Sequence, residues 1–169
     1  MPYPVTPPGS SRRRLLDAAI SQFEESGFEA TTVNDISVRA GVTTGALYHH
    51  FGSKLGLYQV VRDEMDRRMT ERIEGAAAAM GGGRKGVIAA LTVSFDAAIR
   101  FGASRVLAED PPRGTTDPIR TTVMSLLPDH PVAATCLVSA WRTALLAVAN
   151  GASAGTARSD LLWVLESEN

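Results

Sequence analysis

Apolar residues recur at helical spacing along almost the whole chain. Sustained alternation of apolar and polar residues, which is typical of a half-buried strand, does not occur in the sequence. Successive apolar positions are instead three or four residues apart, so that each predicted helix has one apolar face. The pattern therefore predicts an all-α fold, with glycine and proline marking the helix ends.

Two long helices are predicted before the first internal boundary. One begins at Ser11 and stops at Gly27, because glycine suits a left-handed carboxyl-terminal cap. The other starts at Ser53 and runs into the alanines at 76–79. We expect their apolar faces to be buried. The inward positions are Leu15, Leu16, Ala19, Ile20 and Phe23 in the first helix and Leu57, Val61, Met65, Met69 and Ile73 in the second.

Two short helices are predicted between these long ones. Thr32 is a natural N-cap, and Asp35 three residues later gives a pattern like a capping box. This helix ends at Gly41. Thr43 is the N-cap of the next, which ends at Gly52. Their predicted inward residues are Val33, Ile36, Ala40, Leu47 and Phe51.

The three glycines at 81–83 are the clearest internal boundary. A long helix and a short one near residue 106 follow, and Pro118 and Pro131 each stand just inside the start of another helix. The alanine-rich helix from Pro131 ends before Gly151, and a last helix follows it. Inward positions are Ile88, Leu91, Phe95 and Ile99 in the first of these helices and Leu161, Leu162, Val164 and Leu165 in the last.

Composition excludes several classes of protein. Seventeen lysines and arginines balance 18 aspartates and glutamates, and 44% of residues are apolar, as in globular proteins. The lone Cys136 excludes an intrachain disulfide framework and a thiolate zinc site. We expect this thiol to be buried, with a redox switch as the alternative. No apolar run reaches the roughly 18 residues of a membrane span, and residues 1–10 lack a signal-peptide core. The sequence predicts a cytoplasmic protein without cofactor or metal.

The segment TVNDISVRAGVTTGALYHHF has the organisation of a helix-turn-helix motif. In that motif the first residues of the second helix face base edges in the major groove. Thr43, Thr44 and Gly45 are small enough to let the backbone approach DNA, and the helix amino terminus suits a phosphate. The donors predicted on the exposed side are Tyr48, His49 and Lys54.

A family resemblance extends over FEESGFEATTVNDISVRAGVTTGALYHHFGSKLGLYQVV. Residues 13–61, about a third of the chain, resemble the DNA-binding domain of the tetracycline-repressor (TetR) family of bacterial regulators. The resemblance rests on an ordered set of residues that is specific to that family. This set comprises Gly27, Phe28, Thr32, Val33, Ile36, Ala40, Gly41, Val42, Gly45, Leu47, Tyr48, Phe51 and Lys54.

The resemblance implies roles for individual residues on DNA. Thr32 and Lys54 would contact phosphates, residues 43–45 would lie at the groove, and Tyr48 and His49 would contact the backbone or a base. Such proteins often have lysine where this chain has Thr44, so the electrostatic contact at that position is missing here. The predicted DNA-binding residues are Arg13, Thr32, Thr43, Thr44, Gly45, Tyr48, His49 and Lys54.

Charge in the predicted DNA-binding domain is balanced. Residues 1–56 contain five basic and five acidic side chains, so any phosphate binding depends on where the cations lie. The basic run 12–14 would follow the DNA backbone or the minor groove, or would simply be a solvated helix start. His49 and His50 are adjacent and diverge by about 100° on a helix, which argues against a shared metal ion.

These observations predict four segments. Residues 1–10 hold four of the nine prolines and are expected to be a flexible arm. Residues 11–56 form the helix-turn-helix domain, residues 57–80 a connecting helix, and residues 81–169 a helical carboxyl-terminal domain.

Two roles compete for the apolar surface of the carboxyl-terminal domain. The last two helices could pair with a two-fold copy, which would present the recognition helices about 34 to 36 Å apart for successive major grooves. The same domain could hold an effector, or it could be an ordinary packed core. The predicted ligand-binding residues are Leu91, Phe95, Ile99, Arg105, Met124 and Trp141, with Val106 and Glu109 beside them.

The function predicted from the sequence is sequence-specific DNA binding by a homodimeric transcriptional regulator. We expect a repressor that binds an inverted repeat in double-stranded DNA and is released by a small apolar or amphipathic effector, without any membrane partner. An effector that favours a conformer with misplaced recognition helices would shift the population away from DNA. The alternatives are a DNA-binding dimer without an effector, and a helical small-molecule-binding protein or enzyme whose helix-turn-helix is incidental.

Overall fold

A computed structural model of the chain describes residues 9–111 and 115–167. All regular secondary structure within those ranges is helical, which confirms the predicted all-α class. The chain divides into two compact units, residues 1–63 (unit 1) and residues 64–169 (unit 2). Most of the predicted flexible arm lies outside the described residues.

From residue 9 onward, unit 1 contains three helices and the beginning of a fourth. These are α1 (Ser11–Ala30), α2 (Val33–Ala40), α3 (Thr44–Phe51) and the first turns of α4 (Lys54–Ala79). Four residues that were predicted to face inward are only partly buried, so the predicted core is larger than the observed one. They are Leu16, Ile20, Val33 and Phe51. The predicted inward residues that are buried as expected are Leu15, Ala19, Phe23, Ile36, Ala40, Leu47, Leu57 and Val61.

Helix α1 does not stop at Gly27, as the sequence predicts, but continues to Ala30. Gly27 does break the regular helix, because its φ of 76° and ψ of 170° lie outside helical values. The hydroxyl of Thr31 donates to the Gly27 carbonyl oxygen (2.7 Å), and the Thr31 amide donates to the same oxygen (3.3 Å). These bonds hold one further turn after the kink, which the glycine alone does not reveal.

The described part of unit 2 contains the rest of α4 and five further helices. Met65, Met69 and Ile73 are buried along α4, as predicted. Gly81, Gly82 and Gly83 all have positive φ values, which confirms the break after α4. The other helices are α5 (Gly83–Arg100), α6 (Ser104–Ala108), α7 (Pro118–Leu126), α8 (Pro131–Ala149) and α9 (Ala154–Glu166).

The buried faces of α5 and α9 differ in part from those predicted. Val87 is buried, whereas Ile88 and Ile99 are only partly buried. In α9, Leu161 and Leu165 face the core and Val164 is exposed. Helix α8 packs against α5, α6, α7 and α9. Because these neighbours come from distant parts of the sequence, helical spacing alone does not fix which apolar stripe they cover.

Cys136 is exposed, so the prediction that it is a small buried hydrophobe is wrong. It lies on α8 beside the buried Leu137 and Val138. Helix α8 buries only part of its circumference, because its neighbours within the described residues leave one face open. The apolar residues next to Cys136 in the sequence therefore do not indicate whether its own side chain is buried.

Arg142, near the middle of α8, is buried in a group of charged side chains. Its Nη1 donates to Asp110 Oδ1 (2.8 Å), and its Nη2 donates to Asp117 Oδ1 (3.0 Å). Asp117 is also the N-cap of α7, where its Oδ1 accepts from the Arg120 amide (3.1 Å). A buried charge requires such partners, and this network joins α8 to the start of α7.

One helix among the described residues, Pro131–Ala149, is long and apolar enough to cross a membrane by length and composition. This corrects the expectation that no segment reaches that length. The buried Arg142 lies within this helix, and helices α5, α6, α7 and α9 pack around it. The arrangement is that of a core helix in a helical domain, and α8 is not a membrane span.

Candidate nucleic-acid interface

The amino terminus of α2 is closed by a reciprocal capping box, as the sequence predicts. Asp35 N–H donates to Thr32 Oγ1 (3.1 Å), and Thr32 N–H donates to Asp35 Oδ2 (3.0 Å). The Thr32 hydroxyl also donates to Asp35 Oδ2 (2.6 Å). These bonds, first that from the hydroxyl and then that from the amide, lower the pKa of Asp35. Thr32 is exposed, with its hydroxyl engaged inside the cap.

The turn between α2 and α3 depends on Gly41. Its φ of 62° and ψ of 40° are left-handed, a conformation that glycine adopts without steric cost. The Val42 amide donates to the Ser37 carbonyl oxygen (3.0 Å), which closes the end of α2. Arg14 of α1 donates through Nη1 to the Gly41 carbonyl oxygen (3.4 Å). The turn is therefore tied to α1, and it sets the direction in which α3 begins.

Helix α3 presents the residues predicted to read DNA. Thr43 is the N-cap, and its hydroxyl accepts from the Ala46 amide (3.3 Å). Thr44 and Gly45 form the exposed first turn. Tyr48 is 54% exposed one turn later, while its neighbour Leu47 is completely buried. The buried leucine anchors α3 to unit 1, so that the small residues and the tyrosine lie on its solvent side; His49 is exposed as well.

Lys54 is held inside unit 1, which the sequence does not reveal. Its Nζ donates to the carbonyl oxygens of Phe28 (2.7 Å) and Thr31 (2.9 Å) and lies 4.2 Å from the centroid of the Phe28 ring. The ammonium group has three donors, and two of them fasten the loop between α1 and α2. The phosphate contact predicted for Lys54 would rely on the third.

Gly56 is a second residue whose role sequence reasoning missed. A Cβ atom at this position would overlap the carbonyl oxygen of Phe51 at the end of α3. The start of α4 and the end of α3 can approach this closely only because residue 56 has no side chain. A glycine one turn inside a helix, where it lowers helix propensity, was the available signal.

The basic run 12–14 lies in the first turn of α1, whose N-cap is Ser10. Arg13 donates through Nε to Asp17 Oδ2 (3.0 Å), and both side chains are exposed. Arg12 lies over the Phe51 ring, 5.4 Å from its centroid. These cations belong to a helix start, not to an extended arm. Because cations are unfavourable at a helix amino terminus, an external anion bound there would stabilise the start of α1.

No group of three metal-ligating side chains is brought together in the described part of the chain. The rings of His49 and His50 lie with their centroids 5.1 Å apart, in a T-shaped arrangement.

The residues predicted to bind a ligand differ in how deeply they are buried. Leu91, Phe95 and Trp141 are completely buried in unit 2, while Ile99 is partly buried and Met124 is 37% exposed. Arg105 donates through Nη2 to the carbonyl oxygen of Ala149 (2.6 Å) and to Asn150 Oδ1 (3.2 Å). Its guanidinium therefore closes the end of α8. Ligand binding by this set stays a prediction.

Comparison with known proteins agrees with the geometry of unit 1. Residues 15–61 match the family model for bacterial regulatory proteins of the tetR family. The chain is 38% identical over 102 residues to the HTH-type transcriptional repressor KstR2 of Rhodococcus jostii (strain RHA1), covering 55% of this chain and 50% of that protein. It is 41% identical over 64 residues to the A-factor receptor protein of Streptomyces griseus, covering 38% and 23%. The chain thus spans half or less of the length of these relatives.

The fold is similar to that of solved TetR-family regulators. The crystal structure of such a regulator from Pectobacterium atrosepticum matches with a TM-score of 0.67 and 23% identity, over 92% of this chain and 90% of that one. At this identity the likeness concerns the fold. Residues 15–61 therefore form a TetR-family domain, and the chain has the all-α fold of TetR-family regulators.

Proposed function

We propose that this protein is a sequence-specific DNA-binding regulator of transcription that acts as a homodimer. The observation that carries the proposal is the exposed first turn of α3, where Thr43, Thr44 and Gly45 are followed by the exposed Tyr48. The absence of large side chains lets the backbone approach base edges, and the helix amino terminus attracts phosphate. Arg13, Thr32, His49 and Lys54 would add contacts at the edges of this surface.

Specificity in this proposal comes from short polar contacts more than from charge. Arginine and lysine are absent from α3, whose sequence is TGALYHHF. Threonine can donate to or accept from base edges, and its methyl group can contact the methyl of thymine. Because few cations face the phosphates, we expect a shallower dependence of affinity on salt than a strongly basic domain would show.

Dimerisation would use α8 and α9. These helices pack on each other, and their outer surface carries apolar side chains that are exposed in the monomer. Val132 on α8 is 76% exposed and Trp163 on α9 is 75% exposed, with Leu146 and Val164 also on the outside. Large exposed apolar residues on neighbouring helices are typical of an interaction surface. A two-fold copy of the same surface would complete a four-helix arrangement and place two copies of α3 on an inverted repeat.

Repression relieved by a small apolar or amphipathic effector is the regulatory part of the proposal. It is supported by the name of the related KstR2, a transcriptional repressor, and by that of the A-factor receptor protein. We further propose that the protein is cytoplasmic and acts by binding, without catalysis. An effector with 5- to 150-fold preference for one conformer, or about 1–3 kcal/mol, would suffice as coupling.

The DNA-binding part is tested by selecting ligands from random duplexes with the purified chain and measuring their affinity by fluorescence anisotropy. We expect an inverted repeat among the selected sequences. Thr44→Ala and Tyr48→Ala should each weaken binding by roughly tenfold, the equivalent of one base contact, while helicity stays unchanged. Thr121→Ala, at an exposed threonine of α7, is the matched control and should bind as the wild type does. Unchanged affinity in both α3 variants would refute the assignment of this surface.

The dimer is tested separately by analytical ultracentrifugation. Trp163→Glu places a charge on the outer surface of α9 and should shift the protein to monomers. Val93→Glu introduces the same charge at another partly exposed apolar residue, 40% exposed on α5, and should leave the dimer intact. A monomeric wild type, or equal dissociation of both variants, would contradict the proposed interface.

A further inference from the structure

Two arginines of α4 stack on one aromatic ring in unit 2. Arg68 and Arg72 are one helical turn apart, which puts their side chains on the same face. Their Cζ atoms lie 5.5 and 5.6 Å from the centroid of the Phe101 ring, which follows the end of α5. Both distances are within the range of cation–π attraction. Two like charges are thus held close together, an arrangement that requires compensation.

Compensation by acidic residues reaches only one of the two arginines. Arg68 Nε donates to Glu64 Oε1 (2.8 Å), and Glu64 also accepts from Arg67. Partial burial of Glu64 opposes its ionisation, but the hydrogen bonds from Arg67 and Arg68 outweigh it and lower its pKa. Glu64 is therefore a charged partner for Arg68. Glu71, the acidic neighbour of Arg72 in sequence, accepts instead from Arg67 Nη1 (2.7 Å).

The Nε of Arg72 differs from that of Arg68, which donates to a carboxylate. The Arg72 Nε is buried, and no acceptor within residues 9–111 and 115–167 receives its hydrogen. A buried donor without an acceptor costs about 1–3 kcal/mol, and more when the group is charged. The Phe101 ring offsets part of the desolvation of the guanidinium but cannot accept the in-plane N–H bonds. The missing element is an anion with oxygen acceptors.

We propose that Arg72, together with Arg68, binds an oxyanion group of a small molecule, either a carboxylate or a phosphate, with Phe101 as the platform. The planar fork of a guanidinium matches both groups, because two parallel N–H bonds reach two oxygens of one anion. One bound anion would neutralise the excess charge of the pair. In the proposed regulator, this site would receive the polar group of an amphipathic effector.

The site lies wholly in unit 2 and needs no DNA, so it can be tested independently of the proposed function. Both tryptophans, Trp141 and Trp163, also belong to unit 2. Their fluorescence therefore reports thermal unfolding of the unit that holds the site. A ligand that binds only the folded state raises the unfolding midpoint, and above its dissociation constant the rise grows with the logarithm of its concentration.

The experiment titrates the purified full chain with pyrophosphate, inorganic phosphate and octanoate in separate series, with sodium chloride adjusted to constant ionic strength. We expect at least one of these anions to raise the midpoint with a logarithmic dependence on concentration, and to give a saturable calorimetric isotherm. A response to phosphates alone identifies a phosphate site, and a response to octanoate alone identifies a carboxylate site. The dissociation constant, measured by isothermal titration calorimetry, should increase at least tenfold in Arg72→Gln.

Arg67→Gln is the matched control, because Arg67 lies on the same helix but pairs with Glu64 and Glu71 at an exposed position. It should bind the anion like the wild type. Arg72→Lys, which keeps the charge and loses the fork, should bind at least several-fold more weakly than the wild type. The proposal is overturned if no anion raises the midpoint above that of the sodium chloride series, or if Arg67→Gln loses binding to the same extent as Arg72→Gln. Circular dichroism of each variant verifies that it is folded.

Discussion

Units 1 and 2 are both helical, but their structures depend on different kinds of interaction. In unit 1, Thr32, Thr43 and Gly41 act on residues within five positions of themselves, through capping bonds and a left-handed turn. In unit 2, Asp117 and Ser153 cap α7 and α9 locally, but distant partners also hold helix ends and faces. Arg142 contacts residues 25 and 32 positions away, and Arg84 donates to the carbonyl oxygen of Leu165 (3.0 Å).

This difference explains why the two units differ in what their sequences reveal. A capping threonine or a glycine at a helix end has the same effect wherever the helix lies, so local interactions can be recognised from spacing. The orientation of α5 or α8 depends instead on neighbours that the local sequence does not specify. Four experiments would break or sharpen the contrast.

The largest effect is expected from Arg142→Ala, which removes the distant partner of Asp117. Breaking a buried ion pair typically costs about 3–5 kcal/mol, because the remaining charge stays buried. The side chains of Arg142 and Asp117 are only 7% and 11% exposed. The free energy of unfolding, from urea titration followed by tryptophan fluorescence, should fall by that amount.

Arg158→Ala is the control for this experiment. Arg158 pairs with Asp96 at 3.0 Å, but the two side chains are 42% and 40% exposed. Exposed pairs contribute at most about 1 kcal/mol. Equal losses in the two variants would show that burial of the ion pair is not what stabilises unit 2.

A smaller effect is expected from Gly56→Ala in unit 1. The new methyl group would collide with the Phe51 carbonyl oxygen, and forced rearrangement of this kind costs about 1–3 kcal/mol. Gly45→Ala adds the same methyl group inside α3, where the nearest atom, Thr43 Oγ1, would be 3.7 Å away. It should stabilise the helix by up to about 1 kcal/mol. The midpoint of thermal unfolding, followed by circular dichroism, should therefore fall in Gly56→Ala and rise in Gly45→Ala.

The Gly45→Ala protein also sharpens the proposed function. Its fold is expected to be intact, so a loss of DNA affinity would indicate that DNA approaches the backbone of residue 45. Stability and affinity would then change in opposite directions in one variant. If Gly45→Ala binds the selected duplex as well as the wild type does, close approach at this residue is excluded.

A still smaller effect concerns pH and the cap of α2. The pKa of Asp35 is lowered from its usual 3.8 in the folded protein. Its stabilising contribution is therefore present above pH 3.8 and disappears as pH falls through the lowered pKa. We expect the wild type to be more stable than Asp35→Asn at pH 7 and the difference to vanish in acid. Urea midpoints of both proteins at several pH values measure it; a difference that grows on acidification would have the wrong sign.

The last experiment concerns reactivity and not stability. Cys136 is exposed on α8, one helical turn after the exposed Val132. If this face is the dimer interface, the thiol of the wild type should react with Ellman's reagent more slowly than the thiol of Trp163→Glu. The rate of absorbance change measures this directly. Identical rates in dimer and monomer would place Cys136 outside the interface.

Much of the fold could be predicted from the sequence, because its signals are local. The N-caps Thr32 and Thr43, the helix starts at Pro118 and Pro131 and the glycine break at 81–83 are where they were expected. The extension of α1 beyond Gly27 was missed, because it depends on hydrogen bonds from Thr31. The exposure of Cys136 was missed, because it depends on which helices surround α8.

Prediction of the candidate site was similarly divided. Exposure of Thr44 and Tyr48 follows from the burial of Leu47 between them, which helical spacing reveals. The hydrogen bonds from Lys54 to two carbonyl oxygens cannot be predicted from helical spacing, because those oxygens are more than 20 residues away. The arginine pair on Phe101 was overlooked for the same reason: Phe101 is about 30 residues from its partners.

The two bonds of Asp117 have a mechanical consequence. One oxygen of this carboxylate both caps the first turn of α7 and holds the guanidinium of Arg142 on α8. If α8 slides or rotates, the carboxylate must either move with Arg142 and release the first turn of α7, or stay in place and lose its hydrogen bond with Arg142. Displacement of α8 is thereby coupled to unwinding of the first turn of α7, because the Asp117 side chain is bonded to both helices.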